Sequence, residues 1–234
     1  MTFKELKVIY EDNHLIAVNK PSGVLVQPDK SGDAALEDLI KEYIKDKYQK
    51  PGDVFIGVCH RIDRPVSGVV LFAKTSKALV RINEMFQKRE IQKTYWAVVE
   101  NSPEEKEGRL THWLLKDEKK KLSKAHNHEV KYALKSELDY KWIANSDRYF
   151  LLEILPHTGR HHQIRAQLSK IGCSIKGDVK YGAKRTNPDG RIHLHARQLA
   201  FTHPVKLEAI TITAPLPNEV IWQAMDKIVS EKSK

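Results

Sequence analysis

His60-Arg61-Ile62-Asp63-Arg64-Pro65-Val66-Ser67-Gly68-Val69-Val70-Leu71-Phe72-Ala73-Lys74 sets one carboxylate between two arginines on a proline-broken turn, immediately ahead of an apolar run of strand length. A carboxylate flanked by guanidinium groups is favoured in its charged form, so Asp63 is available as a nucleophile or charge stabiliser. Taken alone, an Asp-Arg-Pro turn more often forms an ion pair or caps a loop. The rest of the chain has to decide between these readings.

Val54 to Cys59 and Gly68 to Ala73 are compact apolar runs, which places the turn between two buried strands. Upstream, Val8 to Val18 reads as two short strands around an Asp12-Asn13-His14 turn, leading into the loop Asn19-Lys20-Pro21-Ser22-Gly23. Leu36, Leu39, Ile40, Tyr43 and Ile44 recur at helical spacing after a cap at Asp33. Downstream, Ser76 caps a helix with Leu79, Ile82, Met85 and Phe86 on its apolar face, and Ile91 to Val99 resumes strand character.

Lys116 to Lys135 carries Lys119, Lys120, Lys121, Lys124 and Lys131 with His126 and His128 interleaved, and reads as a basic loop between strands. Phe150 to Leu155 reads as a strand, Pro156 to Arg160 as a turn, and Gln163, Ile164, Arg165 and Leu168 as a helix ended by Gly172. Ile192 to Phe201 and Leu207 to Thr213 are strand-like, and Asn218 caps a last helix through Val220, Ile221, Met225 and Ile228. No repeat, glycine-serine linker or low-complexity tract divides residues 1–234. The expectation is a single α+β domain, with a mixed, mainly antiparallel sheet and flanking helices and loops.

Composition narrows the function. No apolar run approaches the roughly 20 residues that cross a bilayer, and Met1-Thr2-Phe3-Lys4-Glu5 lacks the start of a signal peptide, so a cytoplasmic protein without a membrane is expected. Cys59 and Cys173 are the two cysteines, without a CxxC spacing, which argues against a disulfide framework or a cysteine zinc site. A net charge of +10 and a pI near 9.4 favour a polyanionic partner, with nucleic acid foremost.

Four elements accompany Asp63: Lys20-Pro21, the stretch Lys93-Thr94-Tyr95-Trp96-Ala97-Val98-Val99, the segment Thr158-Gly159-Arg160-His161-His162-Gln163-Ile164-Arg165, and Gly177-Asp178 before Tyr181-Gly182. In this order they resemble the RluA-type RNA pseudouridine synthases, whose pattern H-R-L-D-x-x-T-S-G is followed by K-x-Y-x-A-x-V and T-G-R-x-H-Q-I-R. The likeness runs from about Tyr10 to Pro217. Ile62 is a mild exchange, and Val66 replaces a common threonine, removing a hydroxyl from the loop.

The resemblance implies the pseudouridine synthase catalytic fold with a central active-site cleft, and an enzyme that isomerises specific uridines in tRNA or rRNA. By resemblance, Asp63 is the catalytic acid residue, Arg165 its ionic partner, and Tyr95 and Ile164 clamp the uracil. Arg61, also by resemblance, fills the stack that a flipped nucleotide vacates; by their charge Lys20, Arg64, Lys74 and the Lys119-Lys120-Lys121 loop could line the path of the RNA backbone, a solvated charge run being an equal reading for the loop. The chemistry agrees: breaking and re-forming a glycosidic bond needs a carboxylate near the anomeric carbon and no redox equivalent. A duplex or folded-loop uridine must also be extruded, at roughly a few kcal/mol.

The expectations are therefore RNA as partner, no cofactor or metal, no obligatory protein partner, a monomer, and no separate accessory RNA-binding domain, since hairpin-like sequence starts by Val8. Two other readings stay in view. His157, His161, His162, His193 and His195 with Asp178 offer donors for a metal-dependent phosphoesterase, although their spacing matches no familiar ligand set. A non-catalytic RNA binder is the other, against which the joint presence of Asp63, Tyr95 and Arg165 argues.

Overall fold

A computed structural model of the protein describes residues 1–232. In chain order its elements are β1 (Val8–Glu11), β2 (Leu15–Lys20), α1 (Leu36–Lys47), β3 (Gly57–Val58), β4 (Ser67–Ala73), α2 (Ser76–Lys88), β5 (Gln92–Val99), β6 (Glu107–Asp117) and β7 (Leu122–His126). Then follow β8 (Leu134–Asn145), β9 (Phe150–Pro156), α3 (Gln163–Lys170), β10 (Leu194–Thr202), β11 (Ala209–Thr213) and α4 (Val220–Lys232). The α+β class with a mainly antiparallel sheet is as expected. By density of contacts the chain forms two compact units, Met1–Lys93 with Ala196–Pro215, and Thr94–His195 with Leu216–Lys234. Among the described residues no helix is long and apolar enough to cross a membrane.

In the first unit the strand order is β1-β2-β4-β10, with β3 paired to β4 and β11 to β10. β2 and β4 are antiparallel from Leu15↔Ala73 to Lys20↔Gly68, and every residue of β4 is buried. A strand covered on both faces needs a continuous apolar run rather than alternation, which is what Val69 to Ala73 provides. Ile16, Val18, Val70 and Phe72 pack against Leu36, Ile40 and Ile44 of α1. Burying each such side chain contributes about 1.5–3 kcal/mol.

Two helix starts differ from the expectation. Ala35, not Asp33, occupies the N-cap of α1, while Asp33 instead takes an ion pair from Arg64 at 2.8 Å. Thr75, not Ser76, caps α2: its backbone is extended and its hydroxyl accepts the Ala78 N–H at 3.2 Å, whereas Ser76 is already helical. Of the apolar run at Val54 to Cys59, Gly57 and Val58 alone are strand.

In the second unit the order is β5-β9-β8-β6-β7. Trp96, Val98, Ala144 and Leu151 on the strands receive Trp222 and Met225 of α4. Leu114 and Ala125 pack with Ala166 of α3 and with Tyr181.

The span Lys116 to Lys135, expected as a basic loop, is loop at 118–121 and 127–133 but carries strand at 116–117, 122–126 and 134–135. β6 and β7 form a hairpin from Trp113↔His126 to Asp117↔Leu122, and β8 begins at Leu134. The buried face of β7 is made of Ser123 and Ala125, small side chains without an apolar signal, between exposed lysines, so no strand periodicity shows in the sequence. β8 does alternate, burying Ser136, Leu138 and Tyr140, but one of those positions is polar.

Candidate active site

Asp63 lies on the turn between β3 and β4, half-buried, and its carbonyl accepts the Val66 N–H at 3.0 Å. The turn is clamped from below by Lys20, whose side chain is fully buried. The Lys20 ammonium donates to the carbonyls of Pro21 (3.1 Å), Val24 (2.8 Å) and Arg64 (3.0 Å). Three donors meet three acceptors, which is how a buried cation is tolerated. Burial pulls Lys20 down to about 7, and the negative charge of Asp63 works against that fall.

Arg64 closes the same clamp from outside, with Nε donating to the Gly23 carbonyl at 2.8 Å while the Gly23 N–H donates to the Arg64 carbonyl at 2.7 Å. Opposite Lys20 on β4 stands Gly68, with φ +117°. A Cβ there would lie 2.2 Å from the Ala196 carbonyl oxygen, so only glycine fits. His60 fixes the other end of the turn: its Nε2 accepts the Leu71 N–H at 3.0 Å, with the ring against Phe86, and burial lowers it to about 3, so the imidazole is neutral. His60 thereby extends by one rung the short ladder that β3 makes with β4.

The remaining expected residues of this unit divide. Arg61 is exposed, and its Nη1 reaches Gln27 Oε1 at 3.4 Å. Lys74 lies at the opposite end of β4 from the Asp63 turn, where its ammonium meets Glu11 at 2.8 Å and the Asp12 carbonyl at 2.7 Å and sits over the Tyr48 ring. Lys20, Arg64 and Lys74 are thus each bound into the protein framework, an arrangement that no local sequence signal announces.

In the second unit Tyr95 is half-buried on β5, paired with Ile154 of β9. Ile164 and Arg165 are buried in the first turn of α3. The turn ahead of that helix is held by Gln163, whose Oε1 accepts from the Thr158 hydroxyl (2.7 Å) and the Arg160 N–H (3.0 Å) while its amide donates to the Glu137 carbonyl (3.1 Å).

Asp178, buried at 2% exposure, accepts a two-pronged hydrogen bond from Arg165, Nε to Oδ2 at 2.7 Å and Nη2 to Oδ1 at 2.9 Å. Side-chain type alone offers Asp178 to a metal; the fold gives it to an arginine. The Tyr181 ring lies 4.9 Å from the Arg165 guanidinium carbon. The Gly177-Asp178 and Tyr181-Gly182 stretch carries the only sequence hint of both. Among the described residues no cluster of three or more His, Cys, Asp or Glu side chains is placed to hold a metal ion.

The profile of the family described as RNA pseudouridylate synthase matches residues 14–170. The tRNA pseudouridine synthase C of Haemophilus influenzae is 32% identical over 94% of this chain and 96% of its own length. That of Vibrio cholerae is 31% identical over 94% of each chain. Among solved structures, Human RNA Pseudouridylate Synthase Domain Containing 4 superposes with a TM-score of 0.77 at 23% identity, over 96% of this chain and 93% of that one, a likeness of fold. With a family match across both the Asp63 turn and the Arg165 helix, the chain belongs to the RNA pseudouridine synthases, isomerases that convert uridine in RNA to pseudouridine.

Proposed function

We propose that this chain isomerises uridine in tRNA, with Asp63 as the residue that acts on the glycosidic bond. The reaction breaks the bond from the sugar to N1 of uracil, turns the base, and joins the sugar to C5, whose proton leaves. Substrate and product are isomers, so no electron or group donor enters. Asp63 stabilises the sugar or bonds to it covalently while the base is free. Tyr95 and Ile164 hold the loosened uracil between apolar surfaces, which keeps water from the sugar. Arg165, held by Asp178, is the cationic residue of this reading, and Arg61 stacks in the gap left by the extruded nucleotide.

The observation that carries this reading is the clamp under Asp63. A buried ammonium bonded to the next residue's carbonyl fixes the turn and puts a cation beside the carboxylate, an arrangement that a surface ion pair does not need. Transfer RNA is chosen over ribosomal RNA because the relatives that match almost end to end are named as tRNA enzymes. On this reading the chain works as a monomer in the cytoplasm, with RNA as its partner. The test is to map pseudouridine in tRNA from cells with and without the protein, complemented by wild type or Asp63→Asn. Defined sites should vanish without it and return with wild type alone; their return with Asp63→Asn rejects the catalytic role.

A further inference from the structure

The β6–β7 hairpin ends in Lys119, Lys120 and Lys121, all exposed, with Lys124 exposed further along β7. Its turn is pinned: the Lys120 N–H donates to Asp117 Oδ1 at 2.9 Å, and Lys121 takes the left-handed conformation at φ +48°. A charge run carried on a hydrogen-bonded hairpin, with its turn tied by Asp117, places these lysines together on one tip and suits a phosphate backbone.

The same hairpin is wired to Arg165. The Ser123 N–H donates to the Tyr181 hydroxyl at 2.7 Å, and that hydroxyl meets His162 Nδ1 at 2.9 Å. Ser123 Oγ donates to the His161 carbonyl at 2.8 Å and contacts His161 Nδ1 at 2.9 Å, while the two histidine rings stack at 3.8 Å. The Tyr181 hydroxyl thus accepts from the Ser123 N–H, and its bond to His162 and that of His161 to Ser123 Oγ take the direction that the imidazole tautomers set. His162 is the left-handed N-cap of α3, three residues before Arg165, and the Tyr181 ring lies against Arg165 itself. Every link lies within the second unit.

We infer that the β6–β7 hairpin is an RNA-contacting arm, and that Ser123 and Tyr181 carry its position to Arg165. Tyr181 is then a positioning residue, holding the guanidinium that Asp178 orients. The inference rests on the proposed uridine isomerisation. RNA phosphates docking on Lys119 to Lys121 draw the hairpin into one register, and the Ser123–Tyr181 bond transmits that register to the α3 N-terminus and to Arg165. Binding energy from a part of the RNA remote from the reacting uridine is thereby used in the chemical step.

The experiment measures release of tritium from C5 of uridine in a transcribed, unmodified tRNA pool, at saturating enzyme, with RNA affinity measured in parallel. Four full-length proteins are compared: wild type, Tyr181→Phe, the triple variant Lys119→Gln/Lys120→Gln/Lys121→Gln, and the combination. Tyr181→Phe keeps the ring over Arg165 and should bind RNA within about twofold of wild type yet react about tenfold slower. The triple variant should lose affinity, with the slope of log affinity against log salt falling by about 2. It should also react more slowly when saturated.

The combination should react no more slowly than Tyr181→Phe alone, because the link is already cut. Rate losses that multiply in the combination overturn the inference, as does a wild-type rate for Tyr181→Phe. Should Tyr181→Phe fail to fold, the triple variant decides alone: a slower reaction at saturation supports the inference, and a wild-type rate at saturation overturns it. A wild-type protein that releases no tritium overturns the proposed function instead, which separates the two.

Discussion

The Lys20 ammonium donates to the carbonyl of Arg64 at 3.0 Å, so a cation with no exposed surface holds the residue that follows Asp63. Burial drives Lys20 down to about 7 and the Asp63 charge resists. Removing that charge with Asp63→Asn should therefore move the Lys20 titration to still lower pH. Carbon-13 shifts of the lysine Cε across pH 5 to 10 read this directly. An identical midpoint in the two proteins would show that Lys20 does not sense Asp63.

Arg165 and Asp178 form a buried pair with two parallel bonds, which fits the planar guanidinium and suits no ammonium equally. Asp178→Asn leaves a buried arginine short of its counter-charge and should cost about 3–5 kcal/mol in urea unfolding. Arg165→Lys should lose most of the activity in a tritium-release assay, since a compact ammonium cannot reproduce two parallel bonds from a planar fork. Wild-type stability for Asp178→Asn would remove Asp178 from this account.

Gly68 faces the Ala196 backbone so closely that a methyl group cannot be placed without moving a strand, and its φ of +117° adds strain for any other residue. Gly68→Ala should destabilise by about 3 kcal/mol or more, because the obstacle is backbone rather than a side chain that can turn aside. Chemical denaturation of the two proteins measures it, and a loss below about 1 kcal/mol would contradict the close approach.

Glu11 is surrounded by Lys47, Lys74 and Tyr48. Burial by itself would raise its carboxyl, but the hydrogen bonds from Lys47, Lys74 and Tyr48 outweigh it and hold the group at about 2, against an ordinary 4.5. A carboxyl lowered on folding contributes stability that is complete above about 4.5 and drains away as the pH falls toward 2. Glu11→Gln should remove about 2 kcal/mol at neutral pH and flatten the decline of stability between pH 4.5 and 2. A parallel decline in both proteins would place acid sensitivity elsewhere.

Much of this protein is legible in its amino-acid order. The Asp63 turn, the Tyr95 strand and the Arg165 helix are each contiguous, and each is written in side-chain types and short spacings, so order along the chain is enough to place them in a family. The buried run at Val69 to Ala73 and the helical spacing of Leu36 to Ile44 likewise follow from local periodicity. The β7 strand is not legible, because Ser123 and Ala125 bury a face too small and too polar to show a period.

What tertiary structure alone decided is what the charged side chains do. Lys20 and Arg64, both assigned to the RNA path by type, bond into each other's loops across a separation of 44 residues in Lys20's case, and Lys74 is taken up by Glu11 across 63. Asp178, a metal donor by type, serves Arg165. A charged group's role depends on which partners come within hydrogen-bond distance and how much water is excluded around them. Both are properties of chain segments far apart in sequence, whereas the chemistry a residue can offer is carried by its own atoms.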